Sequence, residues 1–250
     1  MSAATTRLLA FDTSTEQLSA ALSADGTVLR RSGPGGAQAS LTLIPMLMEL
    51  LQEAGIGFAQ LDAVVFGRGP GSFTGLRTAC AAAQGIAYGA RSARHPGGLP
   101  VLPVDTLAAV AEAARAACGA TRVVATLDAR MDEVYAQHLQ WDAGAGLWRS
   151  AGAEARLYRP EDIAVPAGWT LAGNARAGYG DRVAVAAASV HLLPDAEALL
   201  RLAPGLIAAG GLVAAAEALP LYVRDKVAKT TDERAAERAA ADAAAAVPAP

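Results

Sequence analysis

The stretch from Asp62 to Ala90 constrains the fold most, because an apolar run leads into a glycine-rich turn and then into a helix of small residues. The block Ala63–Phe66 is too short for a helix, which predicts a strand buried on both faces. Glycines and a proline in residues 67–71 interrupt it, and Ser72 is placed to cap a helix that opens at Phe73. This order of strand, turn and helix predicts an α/β sheet.

The glycine turn has two interpretations. It is either a structural tight turn or a phosphate cradle, in which unpaired amides at the helix N-terminus face an anion. No lysine follows the last glycine, so GxxxxGK[ST] is absent, and GRGPGSFTG does not fit GxGxxG. Glycine content alone leaves both interpretations open.

Composition sets the outer bounds. A chain of 250 residues has room for one large or two smaller domains. Its formal charge is −3, and no basic cluster is interleaved with aromatic residues, so direct binding of nucleic acid is not expected. Neither a signal-peptide pattern nor roughly 18 consecutive apolar residues is found, which predicts a cytoplasmic protein without a membrane span. Cys80 and Cys118 lack CxxC spacing and are expected to be small core residues.

The predicted elements begin with three strands before any helix. The dipeptide Asp25-Gly26 is typical of a tight hairpin turn between the second and third strands. The strands are predicted at Arg7–Thr13, Leu18–Ser23 and Thr27–Arg31, followed by a helix from about Leu41 to Ala54 started by Ser40 or Thr42 with Pro45 in its first turn, the strand at Ala63, the helix from Phe73, a strand at Leu99–Val104 and a helix from Thr106 to about Ala117 capped by Asp105. The order is β-β-β-α-β-α-β-α.

A second, degenerate lobe is predicted over residues 105–224, after a first lobe over residues 1–104. It contains a strand at Val123–Leu127, a turn at Asp128–Asp132 and a returning strand at Glu133–Gln140. Further elements are predicted at Trp169–Ala172 (strand), Asp195–Ala203 (helix) and Leu206–Ala218 (helix).

The last predicted segment, residues 225–250, is low-complexity sequence without an apolar stripe. We therefore expect it to be disordered. Removal of residues from about Thr231 onward should shift the thermal midpoint by no more than about two degrees.

Five blocks carry a resemblance that covers nearly the whole chain. GRGPGSFTGLR resembles a signature of the TsaB (YeaZ) family, and LLAFDTST, PVDTL, LDARMDEVY and PLYVRDKVA stand in the order of that family. The resemblance implies a two-lobed fold of the actin-like ATPase (ASKHA) superfamily. It also implies a catalytically inactive subunit that the paralogue TsaD requires when it transfers a threonylcarbamoyl group to the adenosine beside the tRNA anticodon. The ATPase TsaE would be a further partner, and tRNA would be contacted only indirectly.

The superfamily's phosphate-binding turns are eroded in this sequence. The first turn reads DTSTEQ and the second DARMDE, both without the glycine that lets backbone amides approach a phosphate. We expect no cofactor of the chain's own, with room left for a nucleotide at the interface of the complex. An alternative function is a weak nucleotide hydrolase or kinase. The residues of such a degenerate site would be Asp12, Thr13, Gly69, Gly71, Ser72 and Asp128.

A metal site is not expected. The resemblance suggests comparison with TsaD, whose first helix carries two histidines four residues apart, but Gln38–Thr42 contains none. His95, His138 and His191 lie far apart in sequence. A metallopeptidase of the M22 glycoprotease type is therefore the least favoured alternative, and we expect no stoichiometric zinc or iron after purification.

Two predicted helices carry more apolar surface than one sheet can bury. Phe73–Ala90 has only Arg77 and Gln84 as strongly polar side chains, and apolar residues circle most of the helix from Leu41. Either later parts of the chain cover these helices, or the pair docks on two matching helices of TsaD, or of a second copy in a homodimer, as a four-helix bundle. We favour docking. The predicted interface is Leu43, Leu47, Met48, Leu51, Leu76, Ala81, Gly85 and Gly89.

Overall fold

The computed structural model describes residues 6–183 and 188–224. The predicted disordered tail, residues 225–250, lies outside the described residues. The elements are β1 (Leu8–Asp12), β2 (Gln17–Ala24), β3 (Thr27–Pro34), α1 (Ala39–Glu53), β4 (Ala63–Gly69), α2 (Phe73–Gly89), β5 (Val101–Asp105), α3 (Thr106–Cys118), β6 (Arg122–Arg130), β7 (Glu133–Asp142), β8 (Leu147–Ser150), β9 (Arg156–Tyr158), β10 (Thr170–Gly173), α4 (Ala175–Tyr179), β11 (Ala188–Val190) and α5 (Ala196–Ala208).

The first sheet has the strand order β3-β2-β1-β4-β5. Strands β1 to β3 are antiparallel, whereas β4 and β5 run parallel to β1. Asp25 and Gly26 close the β2–β3 hairpin with φ of 50° and 82°, as a two-residue turn of this type requires. The predicted hairpin and the order β-β-β-α-β-α-β-α are confirmed.

The second sheet repeats this arrangement. Its order is β11-β10-β6-β7-β8, with β9 also paired to β7. Strands β6, β7 and β8 are antiparallel, as β1, β2 and β3 are, and β10 runs parallel to β6 as β4 does to β1. The matching orders confirm the two-lobed α/β fold that the sequence predicts.

Helices cover both faces of the first sheet. Side chains of α1 and α2 pack on one face, and side chains of α3 and α5 pack on the other. Helix α3 also packs against the second sheet, so it lies between the two sheets. Because α5 belongs to the second half of the chain but covers the first sheet, a lobe boundary at residue 104 stays a prediction.

A buried carboxylate joins α3, α5 and β8. Glu112 has no exposed side-chain surface, and its oxygens accept hydrogen bonds from Arg115 at 2.8 Å and Arg201 at 3.2 Å. The indole N–H of Trp148 donates to the same carboxylate at 3.3 Å. Since a buried charge is tolerated only when it is paired, these three donors account for its position.

The first turn of α1 differs from the prediction. The helix begins at Ala39 with Gln38 in the cap position, so neither Ser40 nor Thr42 caps it. The Thr42 hydroxyl instead donates to the Gln38 carbonyl at 3.1 Å. Pro45 lies in the second turn rather than the first, where its missing N–H leaves one helical hydrogen bond unmade.

The caps predicted for α2 and α3 are also corrected. Ser72 and Asp105 occupy the N-cap positions, but neither side chain makes a capping hydrogen bond. The Asp105 carboxylate accepts instead from the Arg68 guanidinium, an ion pair between the end of β4 and the start of α3. The Ser72 hydroxyl remains exposed.

Of the two helices predicted near the C-terminal end, the first is confirmed with a later end and the second is wrong. Helix α5 continues past the predicted end at Ala203, through Pro204, to Ala208. The chain then turns at Gly210, which has a φ of 80°. Only a short 3-10 helix, Ala215–Glu217, forms in the rest of the predicted second helix.

Candidate functional site

The β1–β2 turn is interlocked with the glycine turn after β4. The Thr13 hydroxyl donates to the Gly75 carbonyl at 2.7 Å, and the Ser72 N–H donates to the Ser14 carbonyl at 2.7 Å. A Cβ at Gly75 would lie 1.9 Å from the backbone carbonyl oxygen of Thr13, so only glycine permits the two segments to come this close. The Ser72 amide of this turn is thus bonded to the main chain rather than facing a ligand, which favours the structural interpretation of the glycine turn.

Asp12 is fully buried beneath this turn. Its Oδ1 accepts from the Ser14 N–H at 2.8 Å and the Ser14 hydroxyl at 2.6 Å, while Oδ2 has no partner within the described part of the chain. Burial raises the pKa of Asp12 to about 6, although the Ser14 hydrogen bonds act against the rise. A Cβ at Gly67 would lie 1.8 Å from Oδ2.

Burial of the first turn counts against two of the predicted nucleotide-binding residues. Asp12 and Thr13 have no exposed surface, so neither side chain is available to a ligand in this structure. Gly69 is buried as well, and its N–H donates to the Thr106 hydroxyl at 3.0 Å. These three residues are therefore part of the packing between strands and helices.

The corresponding turn of the second lobe, between β6 and β7, has an unusual backbone. Arg130, Met131 and Asp132 have φ of 61°, 55° and 64°, a left-handed conformation that costs energy for residues with a side chain. Asp128 Oδ1 accepts from the Arg130 N–H and from the Tyr179 hydroxyl, each at 2.8 Å. Desolvation and the bond to Asp128 raise the pKa of Tyr179 to about 12.

A cleft of about 340 Å³ lies between the two turns. Three predicted nucleotide-site residues, Gly71, Ser72 and Asp128, line it. The sequence analysis missed Arg130, which lines the cleft from the second lobe and forms an ion pair with Asp128. A role of this cleft in nucleotide binding stays a prediction.

A second cavity, of about 860 Å³, lies in a groove between α1 and α2. We call it the α1–α2 groove. Its lining is Ser40, Leu43, Ile44, Phe58, Phe73, Thr74, Arg77, Thr78, Ala81, Ala82, Gly85, Ile86, Gly89 and Ala90. Arg77 is the only charged side chain of this set, so the groove is largely apolar. Gly85 and Gly89 are exposed, and a Cβ at either position would meet nothing within 4 Å.

Burial counts against half of the predicted interface residues, although Leu43 of this set also lines the α1–α2 groove. Four leucines of the predicted interface belong to the interior, with at most 4% of their surface exposed: Leu43, Leu47, Leu51 and Leu76. Met48 is 57% exposed, and Ala81, Gly85 and Gly89 are exposed as predicted from the excess of small residues.

Exposed apolar residues of α1 were missing from that interface. Leu41 and Ile44 are exposed together with Met48. The three are spaced by three and four residues and so share one helix face, which lies beside the stripe of buried leucines. The same spacing, applied to the sequence of α1, separates the exposed residues from the stripe of buried leucines and would have predicted Leu41 and Ile44 as interface residues.

The other flank of α2 is covered by the chain itself. Cys80 Sγ and Gln84 Nε2 both donate to the Ala218 carbonyl, at 2.9 and 3.0 Å. Burial raises the pKa of the Cys80 thiol. The two sequence interpretations of α2 therefore apply to different flanks: one flank is core, and the other faces the open groove.

Among residues 6–183 and 188–224, no three His, Cys, Asp or Glu side chains come together in a group that could hold a metal ion. The absence of bound zinc or iron nevertheless stays a prediction. None of the described helices is long and apolar enough to cross a membrane.

Sequence comparison identifies full-length relatives. The chain is 36% identical over 231 residues to the tRNA threonylcarbamoyladenosine biosynthesis protein TsaB of Escherichia coli K12, a match that covers 89% of this chain and 96% of the relative. The chain belongs to the TsaB (YeaZ) family. The Haemophilus influenzae protein of the same name is 45% identical over 128 residues, about half of each chain. A sequence model of the family described as "TsaD: tRNA N6-adenosine threonylcarbamoyltransferase" matches residues 36–246.

Solved structures agree with this family. YeaZ from Pseudomonas aeruginosa is 42% identical and superposes with a TM-score of 0.78, covering 87% of this chain and 99% of its own. A second structure, described as an uncharacterized protein with similarity to peptidase YEAZ from the same organism, has the same identity and TM-score. The shared fold is the actin-like ATPase type that the resemblance implies.

Proposed function

We propose that this member of the TsaB family acts in threonylcarbamoyladenosine biosynthesis as a non-catalytic subunit that docks on TsaD through the α1–α2 groove. Its relatives of the same family are named for that biosynthesis, and the sequence model described as TsaD matches most of the chain. The likeness to TsaD supports a partner of the same fold, which would present two matching helices to the groove. TsaE would join this pair as a further subunit.

The groove is the observation that carries the docking proposal. Its lining contains the exposed Ile44 of α1 and a strip of small residues on α2, Ala81, Gly85 and Gly89, and the exposed Leu41 and Met48 of α1 lie outside that lining on the same helix. Small residues let the backbone of a second helix approach closely, and the exposed apolar residues beside them supply area to bury. Two helices of a partner seated here would complete a four-helix bundle.

The first lobe's turn supports a non-catalytic role. Catalysis on a phosphate needs backbone amides that are free to donate to its oxygens and a carboxylate that can reach the attacking water or a bound cation. Here the Ser72 amide is bonded to Ser14, and the Asp12 carboxylate is buried below. We therefore expect no ATP hydrolysis above background by the purified chain. Robust hydrolysis that is lost on Asp12→Ala would favour the kinase or hydrolase alternative.

Gly85→Arg tests the docking surface. Nothing lies within 4 Å of a Cβ at Gly85, so the folded chain can accommodate the new side chain while the groove is filled. We expect Gly85→Arg and Met48→Asp to keep the circular dichroism spectrum and thermal midpoint of the unmodified chain. Both should abolish co-elution with TsaD and threonylcarbamoyl transfer to tRNA.

Gly97→Arg is the matched control. Gly97 is exposed, has no atom within 4 Å of a Cβ, and does not line the groove. This variant should bind TsaD as the unmodified chain does. Native binding by Gly85→Arg and Met48→Asp would place the interface elsewhere. Light scattering of the chain alone distinguishes a homodimer through the same groove, because Gly85→Arg would then also reduce the mass in solution.

A further inference from the structure

The segment Leu219–Arg224, which we call the strap, crosses from one lobe to the other. At the first lobe, the Leu221 N–H donates to the Arg68 carbonyl at 2.7 Å. The Leu221 carbonyl oxygen lies 2.6 Å from the position of a Cβ on Gly69, so the strap lies directly against the glycine turn.

Tyr222 anchors the strap on α2. Its ring packs against the Phe73 ring with 5.3 Å between centroids. The Arg77 guanidinium lies over the Phe73 ring, 3.9 Å from its centroid. Its Nε donates to the Tyr222 hydroxyl at 3.3 Å. Phe73 and Arg77 also line the α1–α2 groove, so groove and strap share two side chains.

The end of the strap is attached to the second lobe. Arg224 donates to the Ala129 carbonyl at 2.9 Å and to the Arg130 carbonyl at 3.3 Å, and it forms an ion pair with Glu133 at 2.7 Å. Only 11% of its side chain is exposed, so these bonds form largely away from solvent. The carbonyls belong to the left-handed β6–β7 turn, whose backbone conformation is stabilised by such contacts.

The strap forms part of the wall of the cleft between the lobes. Leu221, Tyr222, Val223 and Arg224 all line the cavity, together with Ser14 and Gly71. Its volume of about 340 Å³ is at the lower end of the range of roughly 300–1,000 Å³ for small-molecule sites.

We propose that the strap is a clamp that holds the interlobe cleft closed, with Tyr222 as its anchor on the first lobe and Arg224 as its anchor on the second. Because both anchors belong to one short segment, release of either end frees the turn at the other end. Opening of the cleft to a ligand therefore requires release of the strap.

Hydrogen–deuterium exchange tests the clamp through its effect at a distance. Tyr222→Ala removes the first-lobe anchor, and we expect exchange to rise about fivefold in peptides covering residues 127–135. This is the change that loss of one net hydrogen bond of about 1 kcal/mol produces. Arg224→Ala should raise exchange similarly in peptides covering residues 66–76.

Tyr88→Ala is the control, because Tyr88 is 45% exposed on α2 and Tyr222 is 44% exposed. It should change neither distant peptide. The proposal is overturned if each strap variant changes exchange only at its own anchor. If Tyr222→Ala instead raises exchange throughout the chain, Tyr222→Phe, which removes only the bond to Arg77, decides the question in residues 127–135. No change there would also overturn the clamp.

Discussion

Replacement of Asp12 by asparagine should alter how stability depends on pH. The carboxyl group is fully buried, and its pKa is raised from 3.8 to about 6, chiefly because burial disfavours the charged form. Between pH 3.8 and about pH 6, the folded chain keeps a proton on Asp12 that the unfolded chain has released. The stabilisation by the neutral form is therefore complete below the unfolded pKa and is lost as the pH rises through about 6.

The size of the effect follows from the shift of about two pKa units. Each unit corresponds to about 1.36 kcal/mol, so ionisation of Asp12 costs about 3 kcal/mol over the whole window. Asp12→Asn carries no charge at any pH and lacks this loss. We expect its free energy of unfolding, relative to the unmodified chain, to rise by about 2 kcal/mol between pH 4 and pH 7.

Urea unfolding followed by circular dichroism at several pH values measures this difference. Asp132→Asn serves as a control of opposite sign. Hydrogen bonds from Arg182 lower the pKa of Asp132, so its contribution is present above the unfolded pKa and is lost as the pH falls. A difference for Asp12→Asn that stays constant, or that falls as the pH rises, would refute the assignment of Asp12 as a buried carboxyl destabilised by its own charge.

The remaining predictions concern thermal and urea stability. Gly75→Ala should lower the free energy of unfolding by about 1–3 kcal/mol, because its Cβ would meet the Thr13 carbonyl oxygen. Gly85→Ala, whose Cβ would meet no atom within 4 Å, should raise the free energy of unfolding by about 1 kcal/mol. Equal effects of the two substitutions would contradict the interlocked turn. Glu112→Ala should lower the free energy of unfolding by about 2–4 kcal/mol, because it removes a buried carboxylate that accepts hydrogen bonds from three side chains. Glu49→Ala, at an exposed helix position, should change the free energy of unfolding by no more than about 0.5 kcal/mol. Similar losses in these two variants would show that the Glu112 cluster contributes little.

Local sequence patterns predicted the strands of the first sheet and the first helices, because each depends on short-range chemistry, but they did not predict β8, β9 or β11. The Asp25-Gly26 turn requires two residues that tolerate positive φ, and β4 needs only a continuous apolar run. The end of α5 differs from the prediction at Ala203, since packing against the first sheet outweighs the one helical hydrogen bond lost at Pro204.

The candidate sites were less predictable, because they depend on contacts between distant residues. The sequence identified Asp12 and Thr13 as acidic and hydroxyl groups near a turn. These two side chains are buried by the glycine turn, whose residues come about 60 positions later, as the hydrogen bond from Thr13 to Gly75 shows. The same holds for the strap, whose anchors at Phe73 and Ala129 lie far from Tyr222 and Arg224. No local pattern signals such pairings.

The return of α5 to the first sheet has a consequence for synthesis on the ribosome. Leu8, Ala10 and Val65 pack against α5, which starts only at Ala196. Roughly 80 residues separate the end of α3 from this helix, and at about 5–20 residues per second they take several seconds to translate. During that interval part of an apolar face of the nascent N-terminal half has no cover. The growing chain therefore exposes this apolar surface until α5 emerges.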